Sequence, residues 1–374
     1  MTTIAISGTG IFVPPDVISN RELVDSFNEY ARRHNQLHAR DIAAGHVQPI
    51  LKSSDEFIVK ASGIHRRHVV AKNGMLDPEI LCPRVPERPN DALSVMAEIA
   101  VKASQDALAA ARCSPDDIDA VIVAASVVQR FYPQIAIEVQ HALGIAGFAF
   151  DLLAACSSAA YGIEVGAALV AGGKARAVLV INQEVCTSHL NLRDRETHFI
   201  FGDAATACLL QPSQAAAGDN VWEIVSTRLE TQYSNNIRNN FGPLNRFSPD
   251  TASGDDKLIV QKGRKVFKEV VPMVSNFMLD HLAASNIASS EVRRLWLHQA
   301  NINMNNLIAR KVLGREPLPD EAPNILEEFG NTSSAGSVIA FHMFSKDLAP
   351  GSIGHLCAFG AGYTAGSVIL RKYG

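Results

Sequence analysis

A chain of 374 residues is longer than one hydrophobic core usually supports, so the sequence predicts two domains or two fused halves. The residues are 47% hydrophobic and 19% charged, as in a soluble globular protein, and the net charge is only -4. This charge gives no electrostatic basis for binding nucleic acid or a membrane surface. The chain begins as a strand without a secretion signal and contains no stretch long enough to span a membrane. We therefore expect a cytoplasmic protein.

Six cysteines are scattered along the chain, and none forms a C-x-x-C pair. This spacing disfavours a zinc site or a redox pair and is typical of reduced, mostly structural thiols. We predict no metal and no other cofactor. The cysteines are Cys82, Cys113, Cys156, Cys186, Cys208 and Cys357.

Strands and helices alternate through the first half of the sequence. Residues 4–7 are predicted to form a strand, with Gly8-Thr9-Gly10 as the turn that ends it. We reject a dinucleotide site here, because a third glycine is missing and Pro14-Pro15 stand where a helix would begin. Helices are predicted over 53–63, 93–111 and 131–144, with a partly helical segment at 21–50 and a proline-rich loop at 73–91. Buried strands are predicted over 118–125, 150–155 and 177–181, and the second of these is expected to be buried on both faces.

The second half continues this alternation. Strand-like runs at 199–210 and 222–228 precede a polar segment, 231–257, whose length favours a functional flap over an idle connection. A helix at 266–284 leads to a strand at 292–297, which ends at His298, and another helix follows at 301–313. Two final strands within 353–370 are joined by Phe359-Gly360-Ala361-Gly362.

An internal repeat emerges from this order of elements. Residues 155–159 align with 331–335, and the strand at 118–125 aligns with 292–299 at nearly the same spacing. The sequence therefore predicts an α/β protein of two duplicated halves, 1–212 and 213–374, with two sheets and helices between and outside them. The small-residue helices that start after Ser157 and Ser333 would pack together in the middle.

Cys156 lies where a buried strand gives way to a helix. The unpaired N–H groups at a helix start and the helix dipole favour negative charge, so we expect a lowered thiol pKa and an activated nucleophile. The same N–H groups could hold an oxyanion formed on an attacked thioester. The alternative is that Cys156 is simply a small buried residue, as free cysteines often are.

Superposing the two halves would bring three side chains into one cleft. Cys156 and Asn331 stand at equivalent helix starts, and His298 ends the equivalent strand. A cysteine can form a thioester, while a histidine and an amide can donate hydrogen bonds to a developing enolate oxygen. Each residue alone could equally be structural, His298 as a satisfied core residue and Asn331 as part of a helix cap.

Four motifs resemble, in this order, the beta-ketoacyl-acyl carrier protein synthase III family of the thiolase-like fold. They are DLLAACSSA, LHQAN, GNTSSAGSV and AFGAGYTAGS. The resemblance implies a five-layered αβαβα fold, with Cys156 as the acyl-carrying nucleophile and with His298 and Asn331 driving decarboxylative condensation. It also implies an oxyanion hole formed by the backbone N–H groups of Cys156 and Ala361.

The same resemblance implies four substrate-binding positions and reveals several departures from the family pattern. Phe57 replaces a tryptophan that stacks on the adenine of CoA, and Arg195 matches a CoA-contacting arginine. Tyr132 matches a phenylalanine that reaches across a homodimer to the partner's acyl channel, and Phe359 is the fourth position. Two family arginines are absent, being replaced by Ala61 and Asn303. Basic residues that could replace them are Lys60, Arg264, Lys265 and Arg310, although each could also be an ordinary surface charge.

These features predict a homodimeric acyltransferase. An acyl-CoA starter would load Cys156, and malonyl-acyl carrier protein would then lose carbon dioxide and condense to give a 3-ketoacyl product. Extra residues near 30–52 and 73–91 suggest a starter larger than acetyl. The starter length, the pathway and the carrier of the extender remain open.

Three other readings of the sequence remain open beside this one. The first is another thiolase-fold enzyme of secondary metabolism, namely a head-to-head condensing enzyme, a polyketide-type synthase or an ester-forming acyltransferase. The second is a cysteine thioester hydrolase. The third is a catalytically silent acyl-binding protein.

Overall fold

The structure is a computed structural model that describes residues 2–240, 244, 247–251 and 254–374. The strands of the first half are β1 Ile4–Phe12, β2 Asp16–Ser19, β3 Arg66–Val69, β4 Ala120–Ala125, β5 Phe148–Leu153, β6 Val178–Glu184 and β7 Ala204–Pro212. Its helices are α1 Asn20–Leu37, α2 Ala39–Ala43, α3 Asp55–Ser62, α4 Val95–Ala111, α5 Ile135–Leu143 and α6 Ser158–Ala171.

The second half repeats the pattern. Its strands are β8 Trp222–Thr231, β9 Ile237–Arg238, β10 Val260–Gln261, β11 Val292–Leu297, β12 Ile353–Gly360 and β13 Thr364–Lys372. Its helices are α7 Gly263–Ala284, α8 Ile302–Leu313, α9 Leu326–Phe329 and α10 Ala335–Met343.

Nine strands form one mixed sheet in the order β11-β12-β13-β8-β1-β7-β6-β4-β5. Its two halves meet only where β1 pairs with β8, at Ala5 with Glu223 and Ile6 with Trp222. The sequence predicted two sheets, and this short pairing joins them into one. Each half places parallel strands beside antiparallel ones, with β4 parallel to β5 and β6 and with β11 parallel to β12.

Alternating apolar residues on the strands separate the molecule into five layers. On β4, Ile122 and Ala124 face a middle cluster that includes residues of α6 and α10, whereas Val121 and Val123 face α4 and α5. On β11, Leu295 faces the outer layer of α7 and α8. The order helix, half-sheet, helix, half-sheet, helix confirms the predicted five-layered α/β fold.

The duplicated halves follow the same order of elements. The series β1, α4, β4, α5, α6, β6, β7 corresponds to β8, α7, β11, α8, α10, β12, β13. Small residues allow α6 to lie close to the sheet, since a Cβ on Gly162 would lie 2.7 Å from Val180 Cγ1. The division into domains 1–212 and 213–374 stays a prediction.

Two strands differ from their predicted form. The strand β1 does not turn at Gly8 and Gly10 but runs through both, because α4 packs directly on its backbone. A Cβ on Gly10 would lie only 2.1 Å from the carbonyl oxygen of Ala103. The strand β5 is not buried on both faces: it pairs only with β4, forms the edge of the sheet and leaves Leu153 56% exposed.

Helix starts follow the capping residues that the sequence offers. Ser54 accepts a hydrogen bond from the Phe57 N–H at the start of α3, and Gly63 ends that helix with φ 81°. Asn301 caps α8 in the same way. In the predicted flap 231–257, β8 extends to Thr231 and β9 pairs with β10, while residues 241–243, 245–246 and 252–253 lie outside the described part.

Candidate active site

Cys156 lies in a short 3-10 turn, Ala155–Ser157, between β5 and α6. The first residue of this turn has a left-handed φ of 50°, which reverses the chain sharply. The Ser158 hydroxyl donates to a backbone carbonyl at the end of β4 at 2.8 Å, and the Ser157 hydroxyl donates to Thr364 Oγ1 at 2.6 Å. The turn is thereby tied to a strand of each half.

The sulfur of Cys156 has a raised pKa, contrary to expectation. Burial raises the pKa of the thiol to about 11, and the charge of Glu184 acts in the same direction. The Ser333 hydroxyl and the backbone N–H groups of Cys156 and Ala361 act in the opposite direction, although the Ser333 hydroxyl makes no hydrogen bond among the described residues. A helix start alone would lower the pKa, but the loss of water around the buried thiol outweighs it.

His298 directly follows β11 and lines the same cavity as Cys156. Its backbone N–H donates to the Cys357 carbonyl at 2.7 Å, and its ring meets Phe359 edge-on with 5.2 Å between centroids. Burial lowers the pKa of His298 to about 4, while a hydrogen bond with the Ser333 backbone opposes this shift. Nδ1 has no hydrogen-bond partner in the described chain. The neutral ring carries a single N–H at pH 7, which can bond either the Ser333 backbone or a ligand.

Asn331 precedes α10 and is held through both its backbone and its side chain. Its backbone N–H donates to the Ile200 carbonyl at 2.9 Å, and its carbonyl accepts from the Gly202 N–H at 3.1 Å. Its Oδ1 accepts a hydrogen bond from the Ser333 N–H at 2.9 Å. Among the described residues the amide NH2 group has no acceptor, so it can donate to a ligand.

These three side chains line one cavity of about 490 Å³. Both halves contribute to its wall, and Phe359 and Ala361 line it as well. Cys156 and Gly360 are so close that a Cβ on this glycine would lie 2.7 Å from Cys156 Cβ and 3.2 Å from its sulfur. The cavity therefore combines a thiol, a neutral imidazole, an amide and two backbone donors.

Two aromatic rings and an arginine lie on the side of this cavity formed by α3. Phe57 lines the cavity and meets Phe199 edge-on, with 5.8 Å between centroids. The Arg195 guanidinium lies 3.7 Å from the centroid of the Phe57 ring, donates to the Lys52 carbonyl at 2.8 Å and pairs with Glu196 at 2.9 Å. Arg195 and Phe57 are thus brought together beside the cavity.

The other predicted residues lie in different places. Tyr132 is 84% exposed and does not line the cavity. Of the predicted basic residues, Arg264 lines the cavity. Arg310, on α8, instead pairs at 3.0 Å with Glu316, which follows that helix. Lys60 and Lys265 do not line it. The residues at the positions of the two absent family arginines are uncharged. Ala61 lines the cavity wall, and the Asn303 amide donates to the Lys60 carbonyl at 3.2 Å.

Two charged residues at the site were missed from the sequence. Lys268 lines the cavity one helical turn beyond Arg264, which a helical reading of 263–284 would have placed on the same face. Glu184 ends the buried strand β6 and acts on the thiol. The available sequence signal for Glu184 was an acidic residue at the carboxyl end of a parallel strand.

Comparison with known proteins decides the family. Family models of 3-oxoacyl-(acyl-carrier-protein) synthase III match residues 150–232 and, for its C-terminal domain, residues 282–372. A beta-ketodecanoyl-(acyl-carrier-protein) synthase of Pseudomonas aeruginosa is 54% identical over 350 residues, covering 94% of this chain and 100% of the relative. The chain belongs to the 3-oxoacyl-acyl carrier protein synthase III family.

Further relatives extend this result to the whole fold. A beta-ketoacyl-(acyl-carrier-protein) synthase III of Granulibacter bethesdensis is 30% identical over 98% of both chains. The crystal structure of the 3-oxoacyl-(acyl-carrier-protein) synthase III of Aquifex aeolicus superposes with a TM-score of 0.77, at 26% identity and 99% coverage of both chains. The synthase III family is one of condensing acyltransferases of fatty acid biosynthesis, and the predicted enzyme class and function are confirmed.

The described residues contain no cluster of three or more histidine, cysteine or acidic side chains that could hold a metal ion. None of their helices is both long and apolar enough to cross a membrane.

Proposed function

We propose that this synthase condenses an octanoyl starter with malonyl-acyl carrier protein, and that Cys156, His298 and Asn331 carry out the chemistry. One observation carries the proposal: the thiol, the imidazole and the amide line a single cavity, and the backbone N–H groups of Cys156 and Ala361 favour the thiolate. Each of these groups matches a need of decarboxylative condensation.

The first step is transfer of the acyl group to Cys156. The thiol attacks the thioester carbonyl, the bond from carbonyl carbon to the CoA sulfur breaks, and the thiol proton leaves with CoA. Negative charge develops on the carbonyl oxygen, where the N–H groups of Cys156 and Ala361 can stabilise it. The Ser333 hydroxyl opposes the rise in the pKa of Cys156 and so favours the thiolate that attacks.

The second step is condensation with the malonyl thioester. Loss of carbon dioxide leaves an electron pair on the α-carbon, delocalised onto the thioester oxygen as an enolate. The neutral His298 ring and the Asn331 NH2 can donate to that oxygen. The carbanion attacks the acyl-cysteine carbonyl, a carbon–carbon bond forms, and the Cys156 thiolate departs and takes up a proton. No general base is required, which agrees with the lowered pKa of His298.

The length of the starter follows from the product that the Pseudomonas aeruginosa relative is named for. A beta-ketodecanoyl product contains the two carbons that malonyl contributes, so its starter is octanoyl. Identity of 54% over 94% of this chain supports the same starter here. The acyl carrier protein in that name likewise supports a carrier-borne extender.

CoA and the carrier protein would use different parts of the cavity mouth. The Arg195–Phe57 pair offers an aromatic face and a guanidinium that suit the adenine and phosphates of CoA. Arg264 and Lys268 on α7 offer positive charge to an acidic carrier protein.

A homodimer is part of the same proposal. The strand β5 is an open sheet edge, and large apolar side chains are exposed on it, on α5 and just before α5. They are Phe131, Tyr132, Ile137, Phe148 and Leu153. We also propose a cytoplasmic location, which the six unpaired cysteines support.

Intact-mass labelling tests the proposal directly. The enzyme is incubated with acyl-CoAs from acetyl to dodecanoyl, and malonyl-acyl carrier protein is added second. We expect one acyl adduct at Cys156, fastest with octanoyl-CoA, which disappears as 3-ketodecanoyl-carrier protein forms. Steady hydrolysis of acyl-CoA without an extender would instead identify a thioester hydrolase, and equal labelling by all chain lengths would refute the octanoyl assignment.

A further inference from the structure

Glu184 is a fully buried carboxyl at the end of β6 that the proposed chemistry does not use. Its Oε1 accepts from the Ser126 N–H at 2.9 Å and from the Ser334 N–H at 3.2 Å. The Ser126 and Ser334 hydroxyls both donate to the same carboxylate. The Cys186 sulfur lies 3.9 Å from Oε2. Each of these contacts with described residues therefore offers the carboxylate a donor.

These contacts connect the two halves of the enzyme. Ser126 directly follows β4, whereas Ser334 directly precedes α10. The segment that Ser334 ends also contains Asn331 and Ser333, which are linked by a hydrogen bond of 2.9 Å. A carboxylate that holds Ser334 therefore limits how far the Asn331 amide can move relative to the cysteine turn.

We propose that Glu184 is a positioning residue, which fixes the Asn331–Ser334 segment against the Cys156 turn, and that its charge adds to the effect of burial in disfavouring the Cys156 thiolate. The expected effect of Glu184 on condensation rests on the proposed function. Its effect on the thiol is independent of any substrate.

Few charged groups act on the Cys156 thiol. Burial raises the pKa of Glu184 to about 7, although the four hydrogen bonds from Ser126 and Ser334 oppose this shift. The two thiols beside it, Cys156 and Cys186, are both disfavoured as thiolates by its charge. Asp203 acts on Cys186, and His298, which lines the same cavity as Cys156, is neutral at pH 7. Removing the Glu184 charge therefore favours the Cys156 thiolate.

The positioning part is tested by separating the two half-reactions. In Glu184→Ala, we expect condensation with malonyl-acyl carrier protein to fall at least about tenfold, whereas acylation by octanoyl-CoA changes less. Glu184→Gln keeps a side chain of the same shape, and serine hydroxyls can rotate to pair with it, so we expect it to restore most of the condensation rate. Equal losses in both half-reactions, or no rescue by glutamine, would overturn the positioning role.

The charge is tested by the pH dependence of Cys156 alkylation by iodoacetamide, followed by peptide mass spectrometry. We expect the profile of Glu184→Gln to move to lower pH by about one unit relative to wild type. Asp151→Asn is the control, because Asp151 is also a hydrogen-bonded, partly buried carboxyl but binds the start of α5. An unchanged profile in Glu184→Gln would refute the electrostatic role. Since alkylation needs no acyl substrate, it remains decisive even if the proposed function fails.

Discussion

The backbone N–H of Ser333 donates to Oδ1 of Asn331 at 2.9 Å. This hydrogen bond fixes the orientation of the amide, because the oxygen is occupied and the NH2 group is left for a ligand. The Asn331 side chain is therefore a donor and not a base. An enolate oxygen needs a donor, whereas deprotonation of a substrate would need an acceptor.

Asn331→Asp should separate acylation from condensation. The aspartate keeps the shape and an oxygen for the Ser333 N–H, but it replaces the donor by a negative charge. We expect octanoyl-CoA to label Cys156 at a near wild-type rate, while condensation falls by about 100-fold or more. Intact-mass kinetics of the adduct, with and without malonyl-acyl carrier protein, measures both steps. Condensation at the wild-type rate would remove Asn331 from the mechanism.

Gly360→Ala should block acylation by steric collision. The new Cβ would lie 2.7 Å from Cys156 Cβ and 3.2 Å from its sulfur, so the cysteine turn or the Phe359-to-Ala361 segment must shift. We expect at least about a 100-fold loss in acylation rate, while circular dichroism shows a folded protein.

Gly263→Ala is the matched control for this substitution. Gly263 also lines the cavity, but a Cβ there meets nothing within 4 Å. It should acylate normally. Similar losses in both variants would indicate that the cavity tolerates no added methyl group anywhere.

Phe57→Ala should weaken binding of CoA thioesters specifically. The ring supports the Arg195 guanidinium at 3.7 Å, so its loss removes both the aromatic face and the orientation of the charge. We expect KM for octanoyl-CoA to rise about fivefold to tenfold, with kcat little changed. Octanoyl-pantetheine lacks the adenosine, and its KM should stay near the wild-type value. An equal rise for both thioesters would place Phe57 on the acyl or pantetheine part of the path.

The sequence predicted most of the architecture because its evidence was local or periodic. The capping serine and glycine around α3, the apolar run of β4 and the small residues of α6 each specify their element. The position of β5 at the sheet edge could not be predicted, since its apolar run is equally typical of a central strand. The glycines of β1 were misinterpreted because their reason, the close approach of α4, is a tertiary contact.

The candidate site was predictable only in part. The repeat and the motifs pointed to Cys156, His298 and Asn331, which the structure places around one cavity. Their titration was not predictable, because burial depends on atoms that come from distant segments. This explains why the thiol has a raised pKa instead of a lowered one, and why Glu184 was not recognised.

A buried histidine pair in the second half predicts a pH-dependent stability. His281 Nδ1 and His355 Nε2 both contact the Ser367 hydroxyl, the first at 2.7 Å. Burial lowers the pKa of His281 to about 4 and that of His355 to about 3. The unfolded chain, with histidine pKa values of about 6.5, therefore binds more protons than the folded chain between these limits. This contribution to the free energy of unfolding is complete above about pH 6.5 and is lost as the pH falls.

His281→Asn should flatten this dependence between pH 7 and pH 5. Removing one such histidine reduces the slope of unfolding free energy against pH by at most about 1.4 kcal/mol per pH unit. Glu184 and Asp203 act with opposite sign, because burial raises their pKa values to about 7 and about 6. The informative quantity is therefore the difference in slope between variant and wild type, measured by urea unfolding at pH 7, 6 and 5. Parallel slopes would mean that His281 is as easily protonated in the folded protein as in the unfolded chain.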